Sequence, residues 1–368
     1  MAGADRVTFI GSDVYRRAAY GDNHPLSIGR VGPVIDLCRQ LGWLSTDDYA
    51  ESPAADLDAL CRFHAPAYVD AVIAADRAGK ADQQLREAHG LGTIENPVFR
   101  GLVARAAPGC GGSILAAELL LGGGVAYNPA GGTHHGRPDR ASGFCYFNDP
   151  VLAILRLLDA GLDRVFYLDL DAHHGDGVEA AFADDARVAT LSIHEQGRWP
   201  GTGTESRPAR GIWNVLVPAG FTDSELAFVM EEVAEPVARA FRPDAVVVTC
   251  GADGLAGDPL SAMALTNGAL WTAVGHARDW SPRMAVLGGG GYNPWTVVRC
   301  WAGLWASLAG RAFPETLPTA ALDLLAGLDS DLVDEDDIDP CWLTTIADEP
   351  NTAPVRPEVR DLARRKAA

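Results

Sequence analysis

The chain has 368 residues, 48% of them hydrophobic and 21% charged, with 40 glycines, 23 prolines and 8% aromatics. That composition excludes a disordered polymer, a collagen-like repeat and a disulfide-held miniprotein. Lysine and arginine number 30 against 49 acidic residues, a formal charge of −19, which argues against nucleic acid as a partner.

The first element expected is a strand at 7–11 (VTFIG), followed by a strand at 124–128 (GVAYN) and a helix at 149–159. Strands follow at 164–171 and 187–194. A helix over 223–241 has Asp223 and Ser224 in position to cap its start. Strands at 244–251 and 283–290 come next, then a helix over 294–309 with Pro294 in its first turn. Strands that alternate with helices, and are apolar along their whole length, imply one α/β domain. Its central, mainly parallel β-sheet is covered by helices on both faces. The acidic run at 329–339 reads as a solvated loop, so the main domain is expected over 1–325 and an acidic loop with a C-terminal tail over 326–368. Seven cysteines, none in a C-x-x-C pair, read as reduced and mostly buried thiols. With no signal-peptide core and no apolar run of ~20 residues, the expected setting is cytoplasmic, without a membrane.

Five of the nine histidines, at 134, 135, 173, 174 and 194, crowd one region. In RVFYLDLDAHHGDG (164–177), strand alternation puts Asp169, Asp171 and His173 on one face. Two carboxylates and an imidazole at the end of an apolar strand are costly to bury, and a divalent cation compensates them. Helix capping by these aspartates is the structural alternative. A third ligand must come from elsewhere, and the loop of DAVVVTCGADGLAGDPL (244–260) offers Asp253 and Asp258; spacing does not choose between them. NPAGGTHHGRPDRASGFCYFND (128–149) supplies His134 and His135, for which Asp169 and Asp176 are spare carboxylate partners. LGGGGYNPW (287–295) presents Tyr292 after four glycines, either as a hydrogen-bond donor to an oxyanion or as an aromatic packed on Trp295.

These segments, with SDVYRRAAYGDNHPLSIGR near the N-terminus, GLGTIENPVF (90–99), PGTG (200–203) and GGGGY (288–292), resemble the zinc-dependent histone deacetylase family. That family includes bacterial acetoin-utilisation proteins and acetylpolyamine amidohydrolases. HPLSIGR and FHAPAYVD look most like the acetoin-utilisation branch. The resemblance implies an arginase/deacetylase-like fold and hydrolysis of an N-acetyl amine to acetate and free amine. The substrate would be an acetylated protein lysine or a small acetylated amine such as an acetylpolyamine. It implies Zn2+, with Fe2+ tolerated by the same ligands, at Asp171, His173 and Asp258, against Asp253. His134 and His135 match the catalytic pair, with His135 the principal acid/base; Asp169 and Asp176 match their partners, and Tyr292 the phenol that polarises the carbonyl. Gly143, Phe144, Trp199 and Leu265 match positions of the channel wall. Glu95 matches a rim position that grips substrate backbone, and Arg30 an inner channel for acetate. Asp169, Asp171, His173, Ser192 and Ile193 match a K+ or Na+ site. Trp199 and Thr133 depart from the residues usual at their positions, which bears on substrate choice. Homo-oligomers are compatible with the resemblance. The rival readings are an arginase-like enzyme with two manganese ions, and a silent acyl-ligand-binding protein on the same fold.

Overall fold

A computed structural model describes residues 6–16, 20 and 24–367, with side chains as far as 364. Positions 17–19 and 21–23 of the resembling N-terminal stretch, and the basic end beyond 364, lie outside that description except for the helical backbone of 365–367.

Eight strands form one sheet: β1 (Val7–Gly11), β2 (Tyr49–Glu51), β3 (Gly124–Asn128), β4 (Val165–Asp169), β5 (Val188–Glu195), β6 (Ile212–Val217), β7 (Ala245–Thr249) and β8 (Arg283–Leu287). Their order is β2-β1-β3-β8-β7-β4-β5-β6, and every pair is parallel. Every residue of β3, β4, β5 and β7 is buried, as a sheet covered on both faces requires. Along β4, Phe166 and Leu168 enter one apolar cluster with Trp301 and Trp305, while Val165 and Tyr167 enter another on the opposite face.

The strands expected at 7–11 and 124–128 form with those bounds, β5 is shifted by one residue, β4, β7 and β8 are shorter than expected, and β2 and β6 join them as the two edges. The helix Asp149–Asp159 forms as expected, with the Asn148 side-chain oxygen Oδ1 accepting from Val151 N at 3.0 Å. The long helix over 223–241 is interrupted by one wider turn, Met230–Ala234. Its cap is Thr222 in a capping box with Glu225. Asp223, expected to cap, instead accepts from Thr266 N and Oγ1 at 2.8 and 2.7 Å. Helix Pro294–Leu308 begins with its proline, and Asn293 caps it. All seven cysteines are free and five are buried.

Register decides where the chemistry can gather. Asp169 lies opposite Thr249 and Ser192, Thr249 opposite Leu287, and Leu287 opposite Asn128. The carboxyl ends of four adjacent strands therefore finish level, and the loops that follow them open at one edge of the sheet. The residues after 326 return to the same body. The Arg299 guanidinium, fully buried, pairs with Asp348 at 2.7 Å and donates to Thr345 O at 2.7 Å. Trp342 lies so close to Gly257 that a Cβ there would stand 2.5 Å from its ring.

Candidate active site

Strand β4 stops at Asp169, so Asp171 and His173 project from the loop behind it rather than from the strand itself. The helix Asp176–Phe182 that follows is entered through Gly175 with no side-chain cap, so neither Asp169 nor Asp171 serves as one. Asp169 is held by its neighbours: Tyr167 OH donates to Oδ2 at 2.8 Å, and Asp171 N donates to Oδ1 at 3.1 Å.

The loop 129–148 brings its two histidines onto these carboxylates. His134 Nδ1 donates to Asp169 Oδ2 at 2.7 Å, and His135 Nδ1 to Asp176 Oδ1 at 2.8 Å. The two rings lie 3.9 Å apart, and both residues are buried. Burial opposes charge on either ring. For His134, Asp169 and Asp171 outweigh it and raise the pKa to about 9. For His135, burial and the neighbouring charge of His134 prevail and lower it to about 3. One imidazole is therefore cationic and its neighbour neutral at pH 7.

Beside the pair, Asp171, His173 and Asp253 each offer a ligand atom within 4.8 Å of the others. His173 Nδ1 lies 2.8 Å from Asp253 Oδ2 and 3.2 Å from Asp171 Oδ1. Burial opposes the charge on His173, but Asp171 and Asp253 raise its pKa to about 10. Burial and the charge of Asp171 raise Asp253 to about 6. The backbone closes around the oxygens: Gly290 N donates to Asp171 Oδ2 at 2.6 Å, and a Cβ on Gly290 would stand 2.1 Å from Asp253 Oδ2. The tightest cluster thus takes Asp253, the aspartate that the family resemblance sets aside. Asp258 stands outside that cluster, within electrostatic reach of Asp253 and His173. It accepts from Tyr292 N at 2.7 Å and Leu260 N at 2.9 Å. Burial, then the charge of Asp253, pushes its carboxyl well above the usual range.

A cavity of about 980 Å³, its open mouth included, reaches inward from His134, His135, Asp171 and Tyr292. The Tyr292 ring meets Phe144 at 5.8 Å and His173 at 6.5 Å; the described contacts do not include Trp295. Gly143 and Phe144 line the cavity. Trp199, 43% exposed, stands edge-on to His135 at 4.6 Å. Arg30 also lines the cavity, donates to Gly289 O at 2.6 Å and lies over the Trp301 ring at 4.7 Å. The Glu95 carboxylate is turned onto Gly143 N, from which it accepts a hydrogen bond. Leu265, bridged to Leu255, lies in the apolar cluster with Leu255 and Met263 and is not among the residues lining this cavity. Ser192 lies beside Asp169 in register, with Ile193 next along β5, so the residues expected around a monovalent ion adjoin.

Comparison with known proteins identifies this arrangement. The histone deacetylase domain family matches residues 24–308. The chain belongs to the histone deacetylase family. It is 36% identical over 298 residues to histone deacetylase 8 of Xenopus tropicalis, covering 78% of this chain and 80% of that protein. It is also 36% identical over 318 residues to the acetoin utilization protein AcuC of Bacillus subtilis, covering 82% of each. Among solved structures, a histone deacetylase homologue from Aquifex aeolicus superposes with a TM-score of 0.94 at 34% identity, over 99% of this chain and 100% of that one. A homologue complexed with SAHA superposes with a TM-score of 0.93. The deacetylase fold also uses residues that sequence reasoning passed over. Asp149 accepts from Gly132 N at 3.0 Å and Thr133 N at 2.7 Å, which fixes the backbone just before the histidines. Asn148 donates to the carbonyls of His134 and Gly136 at 3.1 and 2.9 Å. Arg137 binds the free oxygen of Asp176. The signal for each was its place inside the histidine segment, directly beside residues already singled out.

Proposed function

We propose that this chain hydrolyses the amide of an N-acetylated amine, an acetylated lysine side chain or a small acetylated amine, to acetate and free amine. The observation that carries the reading is the histidine pair. Two adjacent imidazoles, each held on its own buried carboxylate, face a carboxylate–imidazole cluster and a phenol across one cavity.

The donor set fits a divalent ion. Asp171, Asp253 and Asp258 are buried together, and burial with the charge of Asp253 pushes the Asp258 carboxyl well above its usual range, which is the environment an ion relieves. Asp171, His173 and Asp258, the set that the family resemblance implies, would hold it, with Asp253 beside them on Ala172 N and His173 Nδ1. Zinc or iron(II) there supplies Lewis acidity for the acyl carbonyl and for water.

The side chains supply the rest. His135, neutral and with Nδ1–H fixed by Asp176, turns Nε2 toward the cavity as a base for the attacking water. The same nitrogen then returns the proton to the departing amine. His134, cationic on Asp169, holds positive charge beside the reacting centre. Tyr292, kept protonated by burial and by Asp253 and Asp171, donates its hydroxyl to the oxyanion. Arg30 attracts acetate to the inner end.

The test is a panel of acetyl-lysine peptides and acetylpolyamines on zinc- and iron-loaded protein, with a chelated control. Hydrolysis that disappears with the metal supports the reading. Zinc-loaded protein that leaves every member of the panel intact overturns it and favours a silent acyl-ligand binder.

A further inference from the structure

The geometry points to Glu95 as a positioning residue that braces the channel wall at Gly143–Phe144, instead of an anionic grip on a substrate backbone. Ser142 N donates to Cys145 O at 3.1 Å, and Cys145 N to Ser142 O at 2.9 Å, closing a two-residue turn. Both central residues are left-handed, Gly143 at φ 56° and Phe144 at φ 64°. Such a turn suits Asn-Gly or Gly-Gly, and a phenylalanine at its second central position is held there against its own preference. Strain of this kind persists only where the surroundings over-determine it.

Two holds are visible. The Phe144 ring is wedged between His24 at 4.8 Å and Tyr292 at 5.8 Å. The Gly143 N–H points out of the turn's own hydrogen-bond pair and is taken by Glu95 Oε1. The Glu95 backbone is itself pinned: His24 Nε2 donates to Glu95 O at 3.2 Å, and the loop is closed by Gly92 N on Asn96 O at 2.8 Å. Carboxylate to turn, turn to Phe144, Phe144 to His24, and His24 back to Glu95 form a closed circuit. The turn has no room to drift, since a Cβ on Gly143 would stand 2.5 Å from both His135 Cδ2 and the Trp199 ring. Loosening the turn therefore moves the wall against the proposed base. Outward from the brace, Ile94 is 97% exposed, so the rim next to Glu95 presents an apolar side chain.

The kinetic arm of the test rests on the proposed deacetylation; the structural arm does not. In E95A, amide exchange at Gly143 and Phe144, read at residue resolution, is expected to accelerate by about tenfold to a hundredfold, the value of a lost hydrogen bond to a charged acceptor. Turnover should fall by a similar factor on an acetyl-lysine peptide and on an N-acetyl alkylamine with no peptide backbone. E95Q, which retains an acceptor oxygen, should rescue both measurements. Unchanged exchange in E95A overturns the brace. So does a loss confined to KM for the peptide, with E95Q as poor as E95A, which is the signature of a backbone grip. If the parent protein cleaves neither substrate, the deacetylation reading fails and the exchange result alone decides the role of Glu95.

Discussion

Replacing Tyr292 by phenylalanine removes one oxygen and keeps the ring. The contacts that fix the residue survive: the edge-on packing against Phe144 and His173 needs only carbon, and the hydrogen bond to Asp258 at 2.7 Å comes from the backbone. Burial, reinforced by Asp253 and Asp171, keeps the phenol protonated, so the lost group is a donor at every working pH. One preorganised oxyanion donor is worth ~10²–10³ in turnover, or about 2.7–4 kcal/mol of transition-state stabilisation. That interaction strengthens as charge develops on the acyl oxygen, so the loss should fall on kcat and leave KM within about threefold. The assay is steady-state hydrolysis of an acetyl-lysine peptide by parent and Y292F, with bound metal and thermal unfolding measured on the same samples. Equal metal content, an unchanged unfolding temperature and a kcat reduced a hundredfold or more are expected (on the order of the loss of one donor). A variant that turns over at the parental rate with full metal refutes the oxyanion role.

Other perturbations probe neighbouring parts of the site and the tail. D176N lets an amide N–H face His135 Nδ1 and favours the wrong tautomer, so turnover should fall by ~10²–10⁴; a pH–rate profile that matches the parent would contradict the assignment. G290A pushes a Cβ to 2.1 Å from Asp253 Oδ2 and should weaken metal retention by ~10–100-fold; undiminished metal content by mass spectrometry after dialysis would argue that the cluster holds no ion. R356A removes the fork that binds Glu225 at 2.7 and 2.8 Å. Burial opposes charge on Glu225, but Arg356 outweighs it and lowers the pKa. A depressed carboxyl contributes stability above its unfolded value of ~4.3 and loses it as pH falls through the folded value. Denaturant titrations should therefore show a deficit of about 1–2 kcal/mol at pH 7, discounted for the partly exposed arginine, which narrows toward pH 3. A deficit that does not change with pH would mean the pair is not the cause.

The architecture was readable because its determinants are local. Apolar runs such as DAVVVTCG need no partner to announce a doubly covered strand, and the helix 149–159 carries its own Asn-Asp-Pro start. β2 has only three residues, and β6 sits at the sheet edge with partly exposed positions, so the one lacks the length and the other the uniform burial that makes a strand visible in sequence. The cap at 222 shows the same limit, since Asp223 was drawn away by Thr266, a residue 43 positions later. In the site, spacing offered Asp169 and Asp176 as spare carboxylates, and the family resemblance assigned them to His134 and His135 respectively, the pairing that the geometry has. What sequence could not supply was the direction of side chains on irregular backbone. Asp253 and Asp258 lie five residues apart on a Gly-rich loop, and only three-dimensional geometry shows that one closes on His173 while the other is gripped by the Tyr292 backbone. Glu95 stands where its motif puts it, yet its carboxylate faces a peptide N–H of the wall turn.

The ring of Trp342 against Gly257 has a practical meaning for anyone trimming the polypeptide. The matched family region ends at residue 308, and a fragment cut there would keep every catalytic side chain named above. It would also lose the wedge that seats the loop immediately before Asp258, together with the acid that neutralises buried Arg299. The residues beyond 308 are thus a keystone for the loop before Asp258, and a shortened version would leave that vault unsupported.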